Sequence, residues 1–233
     1  ELDINEIIEV LRLQQAPFKT KTQDHVSSIL EEVFTRGDEA IKEFSLEFDG
    51  LNISSLEEAR IDSKLISNSK SLVDKETFIS LKKTYKRILN YQKTLLPSEK
   101  IDNNIIRKNI PIESILIYTP GGKALYPSTV LMAAGPAKAA GVRNIILTSP
   151  SPTKSLSPII LAACHVAGID EVYCIGGVHA IAGFVFRNNS LPNVDKVVGP
   201  GNKYVAEAKR QIFGMAGIDL IAGPSEILVI GDN

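Results

Sequence analysis

Tryptophan is absent from this 233-residue chain, methionine and cysteine occur twice each, and histidine three times. Two cysteines cannot make a disulfide-stapled scaffold. Cys164 falls in a helical pattern and Cys174 in a strand pattern, so they read as buried free thiols of a reducing, cytoplasmic protein. No two His or Cys residues stand at metal-ligand spacing, so the chain offers no evident zinc site of its own. An excess of one charge is also missing. Lys and Arg total 26 against 27 Asp and Glu, a formal net charge of −1. That removes the general electrostatic case for nucleic acid or an anionic membrane as partner. No apolar run approaches the ~20 residues of a membrane span. Nothing near Glu1 resembles a secretory signal, and a first residue other than Met suggests a chain that begins inside a longer reading frame. The Gly-x-Gly-x-x-Gly fingerprint and the Walker phosphate loop are both absent. So is a Gly-x-Ser-x-Gly elbow, and with no acid–His partners evident a serine hydrolase is a poor reading. Ser225, in Gly223-Pro224-Ser225-Glu226, reads either as a hydroxyl for a polar ligand or as a turn hydroxyl bonding to backbone.

What the chain does have is a rhythm. Five short apolar runs each stop at a turn rich in Gly, Pro or Ser. The runs are Ile115–Tyr118, Ile145–Leu147, Val172–Ile175, Lys196–Val198 and Asp219–Ile221. The turns are Thr119-Pro120-Gly121-Gly122, Thr148-Ser149-Pro150, Gly176-Gly177, Gly199-Pro200-Gly201 and Gly223-Pro224-Ser225. They recur roughly every 25 to 30 residues, the length of one strand-plus-helix unit. Alternating strands and helices give a parallel sheet covered by helices, with ligands at the carboxyl ends of the strands, where these turns fall. Helices are expected over 128–140, 154–167, 178–188 and 202–213. The alanines of the first, from Ala133 to Ala140, would let its backbone lie close on its neighbours.

The first part reads as mainly helical. Ile4, Ile7, Ile8 and Leu11 keep a helical period behind Asp3. A second helix carries Val26, Ile29, Leu30, Val33 and Phe34 and ends at Gly37. A third, capped by Asp38, turns Ile41, Phe44 and Phe48 inward and stops at Asp49-Gly50. Asp62 opens a short helix around Leu65 and Ile66. Asp74 opens a long one through Phe78, Leu81, Tyr85, Ile88, Leu89 and Leu95, whose lysine-rich outer face reads as a solvated surface. From Pro97 to Pro111 a polar connector with short strands is expected. The residues then divide into a mainly helical first part and an α/β region that begins near Ile112, and Glu226–Ile230 reads as another buried strand. Because that strand has no following helix, the chain is expected to be truncated.

Among candidate ligand contacts, Gly176-Gly177 opens a helix whose free N–H groups favour an anion. Gly199-Pro200-Gly201-Asn202 does the same for the next helix, with Asn202 near its N-cap. His25 and His165 lie in amphipathic patterns and read as structural. His179, at a helix start over the sheet edge, has the best functional claim among the histidines, as a neutral imidazole.

Seven segments in order carry a resemblance: Tyr118-Thr119-Pro120-Gly121-Gly122, Pro127–Met132, Gly176-Gly177, Val194-Asp195-Lys196, Gly199-Pro200-Gly201-Asn202, Glu207–Gln211 and Ala222–Glu226. Together they closely resemble histidinol dehydrogenase, strongly over 112–233 and in plan over the helical first part. The resemblance implies a cytoplasmic, homodimeric, zinc- and NAD-dependent enzyme of histidine biosynthesis. It would oxidise L-histidinol to L-histidine through the aldehyde, with two hydride transfers to two NAD molecules. It implies NAD contacts at Tyr118 and Asn202 and a substrate contact at Ser225. A third NAD contact falls on His179, where the family usually has glutamine. It also implies a division into 1–111, the mainly helical first part of domain 1, 112–225, an incomplete Rossmann-like nucleotide-binding domain, and 226–233, a strand returning to domain 1, with the zinc ligands and the Glu-His acid/base pair downstream of Gly223-Pro224-Ser225-Glu226. The chain is therefore expected to be an amino-terminal half, inactive alone. The alternative is a non-catalytic nucleotide-binding Rossmann-like module that lacks the catalytic half.

Overall fold

The structure is a computed structural model that describes residues 21–98, 100–102, 105–121, 125–169 and 171–221. The expected helix around Ile4–Leu11, Gly122, Ser225 and the strand expected over 226–233 lie outside the described residues. Among the described residues, four α-helices come first: α1 (Lys21–Arg36), α2 (Asp38–Asp49), α3 (Ser63–Asn68) and α4 (Lys75–Thr94). A small antiparallel pair follows, β1 (Lys100–Asp102) with β2 (Ile105–Arg107). Then β3 (Ser114–Tyr118), α5 (Pro127–Ala139), β4 (Asn144–Thr148), α6 (Pro158–Ala167) and β5 (Glu171–Tyr173) alternate. They continue into α7 (Gly177–Val185), β6 (Lys196–Val198), α8 (Lys203–Ile212) and β7 (Gly217–Ile218).

The sheet runs β5-β4-β3-β6-β7, all parallel. The chain moves outward from β3 through β4 to β5, then crosses back to place β6 on the other side of β3. With right-handed crossovers, that reversal puts α5 and α6 on one face and α7 and α8 on the other. Helix contacts fall into the same two groups. α4 packs on α5 and α6, whereas α1 packs on α7 and α8, and α2 on α7. All five residues of β3 are buried, as a strand covered on both faces requires. The buried side chains of both parts join in one core. The α/β class with flanking helices, preceded by a helical region, is thus the observed fold.

Local chemistry explains most element ends. Asp62 and Asp74 cap α3 and α4, accepting from Lys64 N and Thr77 N, both at 2.8 Å. Gly50 closes α2 in the left-handed conformation. Some expectations shift. The N-cap before α2 is Gly37, and Asp38 instead accepts from Ser190 N at 2.8 Å, tying α2 to the loop after α7. Phe34, Phe48, Leu65 and Leu95 keep the helical period but stay substantially exposed. α6 begins only at Pro158, because proline suits the first helical position and Lys154 sits in a left-handed conformation outside it. β7 precedes the expected run at Asp219, whose side chain turns back to bind elsewhere.

The outer edge of the sheet at β5 is clasped by a distant segment. Cys174 N donates to Ala59 O and Ile61 N donates to Val172 O, both at 2.8 Å, with an antiparallel bridge between Arg60 and Tyr173. An exposed edge would otherwise offer unpaired backbone to other chains.

Candidate functional site

The strand ends converge at the carboxyl edge. Thr119 N donates to Thr148 O at 3.0 Å, and Ser149 N to Tyr173 O at 3.1 Å. Pro150 wedges between turns: a side chain at Gly121 or Gly176 would meet it at 2.6 or 2.3 Å. The Thr148-Ser149-Pro150 turn, which carried no expected ligand role, is therefore a spacer that holds its neighbours. At β6, Gly199 is in a positive-φ conformation, and a Cβ there would fall 2.1 Å from Tyr118 O. Only glycine lets the ends of β3 and β6 approach this closely, and they flank the point where strand order reverses.

Tyr118 ends β3 and is 3% exposed. Its hydroxyl accepts from Gly177 N at 3.2 Å. Burial raises its pKa, the charge of Asp49 adds to this, and the Gly177 hydrogen bond opposes it. The phenol is therefore protonated at neutral pH and keeps one donor to offer.

His179, in the first turn of α7, is fully buried. Burial alone pushes its pKa down to about 3, so the imidazole is neutral. Neither ring nitrogen has a hydrogen-bond partner among the described residues. Phe44 and Phe48 stack on each other and lie 6.1 and 6.0 Å from its ring. Asp49, at the end of α2, stands beside the ring. Its Oδ2 lies 3.6 Å from Nε2 and accepts from Gly176 N at 3.1 Å. Burial raises the Asp49 pKa, and the Gly176 bond pulls the other way. The Gly176 and Gly177 N–H groups, expected to favour an external anion, are thus taken by Asp49 and Tyr118.

Asn202 is exposed and caps α8, its Oδ1 accepting from Tyr204 N and Val205 N at 3.0 and 3.1 Å. That use of the carbonyl leaves its amide N–H groups to donate outward. Lys203 and Tyr204 follow, with the ammonium 5.1 Å from the ring centroid. Behind the turn, Lys209 is almost fully buried. It donates to Gly199 O at 2.9 Å and pairs with Asp219, which accepts from Gly199 N at 2.8 Å. Burial works against the charged form of Asp219, but these hydrogen bonds outweigh it and hold its pKa below the usual carboxylate range. A groove of about 940 Å³ runs beside this turn, lined in part by Met132, Ala133, Val198, Gly199 and Pro200.

Tyr118 and His179 therefore come together around the start of α7, while Asn202 stands at the neighbouring turn. Ser225 lies outside the described residues. Two of the other segments hold the fold. Asp195 accepts from Glu113 N and Ser114 N at 3.0 and 2.9 Å, fixing the start of β3. Gln211 donates to Glu207 at 2.7 Å and to Gln23 O at 3.1 Å, docking α8 on α1. Asp49 was read from sequence only as a helix stop. Its partners lie on α7, and the one local signal was an acid beside the phenylalanines of α2. Among the described residues no group of three or more His, Cys, Asp or Glu could hold a metal ion. No described helix is long and apolar enough to cross a membrane.

The family model described as Histidinol dehydrogenase matches residues 13–233. A histidinol dehydrogenase of Listeria monocytogenes is 40% identical over 99% of this chain and 55% of its own length. One from Syntrophotalea carbinolica is 41% identical over 91% of this chain and 50% of its own. A crystal structure of histidinol dehydrogenase from Elizabethkingia anophelis superposes with a TM-score of 0.81 at 30% identity. It covers 90% of this chain and 49% of that one. The chain spans about half the length of the curated relatives it matches.

Proposed function

The chain belongs to the histidinol dehydrogenase family, and on that premise we propose that it carries the dinucleotide-binding part of an enzyme that oxidises L-histidinol to L-histidine in histidine biosynthesis. The observation that carries the reading is the gathering of Tyr118, the start of α7 and the start of α8 at the carboxyl edge of one parallel sheet, around its reversal point.

NAD, when bound, supplies the hydride acceptor. Tyr118, His179 and Asn202 are the residues assigned to hold it, and Ser225 the one assigned to substrate. The Gly177 N–H fixes the Tyr118 oxygen and so aims its remaining O–H. The cap at Asn202 likewise aims its N–H donors away from α8. His179 stays neutral and adds no charge to the site. Zinc does not fit the described residues, so no step is routed through it here. Its ligands, with the acid/base pair, are assigned to the part of the relatives that this chain does not span. Homodimerisation, a cytoplasmic location and the division at 111/112 and 225/226 belong to the same proposal.

Calorimetric titration of the 233-residue chain with NAD tests the site. Asn202→Ala is expected to weaken binding about tenfold, the worth of one hydrogen bond of ~1.4 kcal/mol. Unchanged affinity argues against Asn202 as a contact. With L-histidinol and NAD, this chain alone should form no NADH. NADH formation would show that the assignment of the chemical groups elsewhere is wrong.

A further inference from the structure

Among the described site residues, His179 is the one whose fully buried side chain has polar atoms without a hydrogen-bond partner. A neutral imidazole carries one N–H and one lone pair, and which nitrogen holds the proton depends on what each faces. Nε2 faces the Asp49 carboxylate, 3.6 Å away, a position already anchored by Gly176 N. A lone pair on Nε2 would set two acceptors against each other, whereas an N–H there is favoured electrostatically by the carboxylate, although 3.6 Å is too long for a hydrogen bond. Nδ1 faces the start of α7, where a Cβ on Gly177 would stand 3.3 Å away. The absent side chain leaves that nitrogen its approach.

We propose that Asp49 is a positioning residue of the dinucleotide site: it holds His179 in the Nε2–H tautomer, so that Nδ1 is presented at the start of α7 as an acceptor for a hydrogen-bond-donor group of the dinucleotide. The ligand part of this proposal rests on the NAD reading above; the tautomer does not. The donor is an amide N–H or a ribose hydroxyl, and a phosphate oxygen is excluded because an unprotonated Nδ1 offers it nothing. The same carboxylate takes the Gly176 N–H, and Tyr118 takes that of Gly177, which removes two of the donors an anion would use here. Phe48, the exposed member of the aromatic cover over His179, is the side chain that shifts to admit the donor.

Two-bond 1H–15N correlation spectra of the 233-residue chain read the tautomer directly, without any ligand. The expected result is a single Nε2–H form in the wild type and loss of that preference in Asp49→Asn, whose amide matches the carboxylate in shape but can also donate. An Nδ1–H form in the wild type, or an unchanged Nε2–H form in the variant, overturns the positioning role. Calorimetry with NAD then reads the consequence. Asp49→Asn should weaken NAD about tenfold. In a His179→Gln background, where an amide supplies donor and acceptor by itself, the same change should cost less than about threefold. Equal losses in both backgrounds make Asp49 merely structural and overturn the proposal, as does a loss below twofold in the wild-type background. If Asp49→Asn does not fold, judged by thermal unfolding, Asp49→Glu, which keeps the charge, should retain the Nε2–H form; loss of it overturns the role. A wild type that binds no NAD overturns the dinucleotide reading and the ligand part with it, while the spectra still decide the tautomer.

Discussion

The two glycine turns that open α7 and α8 look alike in sequence and differ in kind. At Gly176-Gly177 the helix beneath is buried on every side, because α1 and α2 cover the face that α8 does not. The N–H groups of Gly176 and Gly177 are spent on Asp49 and Tyr118, and the histidine lies beside two phenylalanines. At Gly199-Pro200-Gly201-Asn202 the turn borders a groove, its cap residue is exposed, and the buried Lys209, paired with the more exposed Asp219, braces it from behind. The closed turn supplies shape and fixed dipoles. The open one supplies donors that a ligand reaches without rearrangement.

The largest expected effect comes from breaking the open turn. Gly199→Ala puts a methyl group into the Tyr118 backbone at a positive φ. It should cost about 2–4 kcal/mol, since the obstacle is main chain that cannot swing aside. Urea unfolding measures this. A cost under about 1 kcal/mol would mean that the two strand ends have room to part.

The closed turn is tested next, by pH. The folded-state pKa of His179, about 3, lies below its ordinary value of 6.5. Between these values the unfolded chain binds the proton and the folded chain does not. The contribution is therefore complete above pH 6.5 and is lost progressively as pH falls towards 3. Asp49 acts in the opposite sense: its raised pKa costs stability as pH rises past its ordinary 3.8. His179→Gln removes the histidine contribution, so its unfolding free energy should fall less steeply than that of the wild type between pH 6.5 and 4. Parallel curves for the two proteins would show that His179 is not sealed.

The smallest effect sharpens the contrast. Asn202→Ala removes an exposed cap and should cost only about 1 kcal/mol in stability, although it stands at the turn where ligand donors are most accessible. A stability loss as large as that of Gly199→Ala would erase the distinction between a turn that holds the fold and a residue that serves a ligand.

The rhythm of apolar runs and turns made the parallel sheet legible, because period and punctuation are local signals. Caps at Asp62, Asp74 and Asn202 were legible for the same reason. Strand order was not, since nothing local says that β6 returns beside β3. Nor was the sealing of His179, because Asp49 and the phenylalanines reach it from 130 to 135 positions away in the chain. Sequence placed His179 at a helix start over the sheet edge. Only the packing of α2 on α7 turned an expected surface contact into a buried one.

The clasp of Ala59, Arg60 and Ile61 on β5 has a consequence for synthesis. The Cys174 thiol that donates to Ala59 O follows it by 115 positions. At about 5–20 residues per second, this segment leaves the ribosome on the order of ten seconds before its strand exists. Through that interval its carbonyls have only water, and whatever nascent neighbours are present, to bond. The segment that protects the finished edge is therefore made well before the strand it covers and must wait for it.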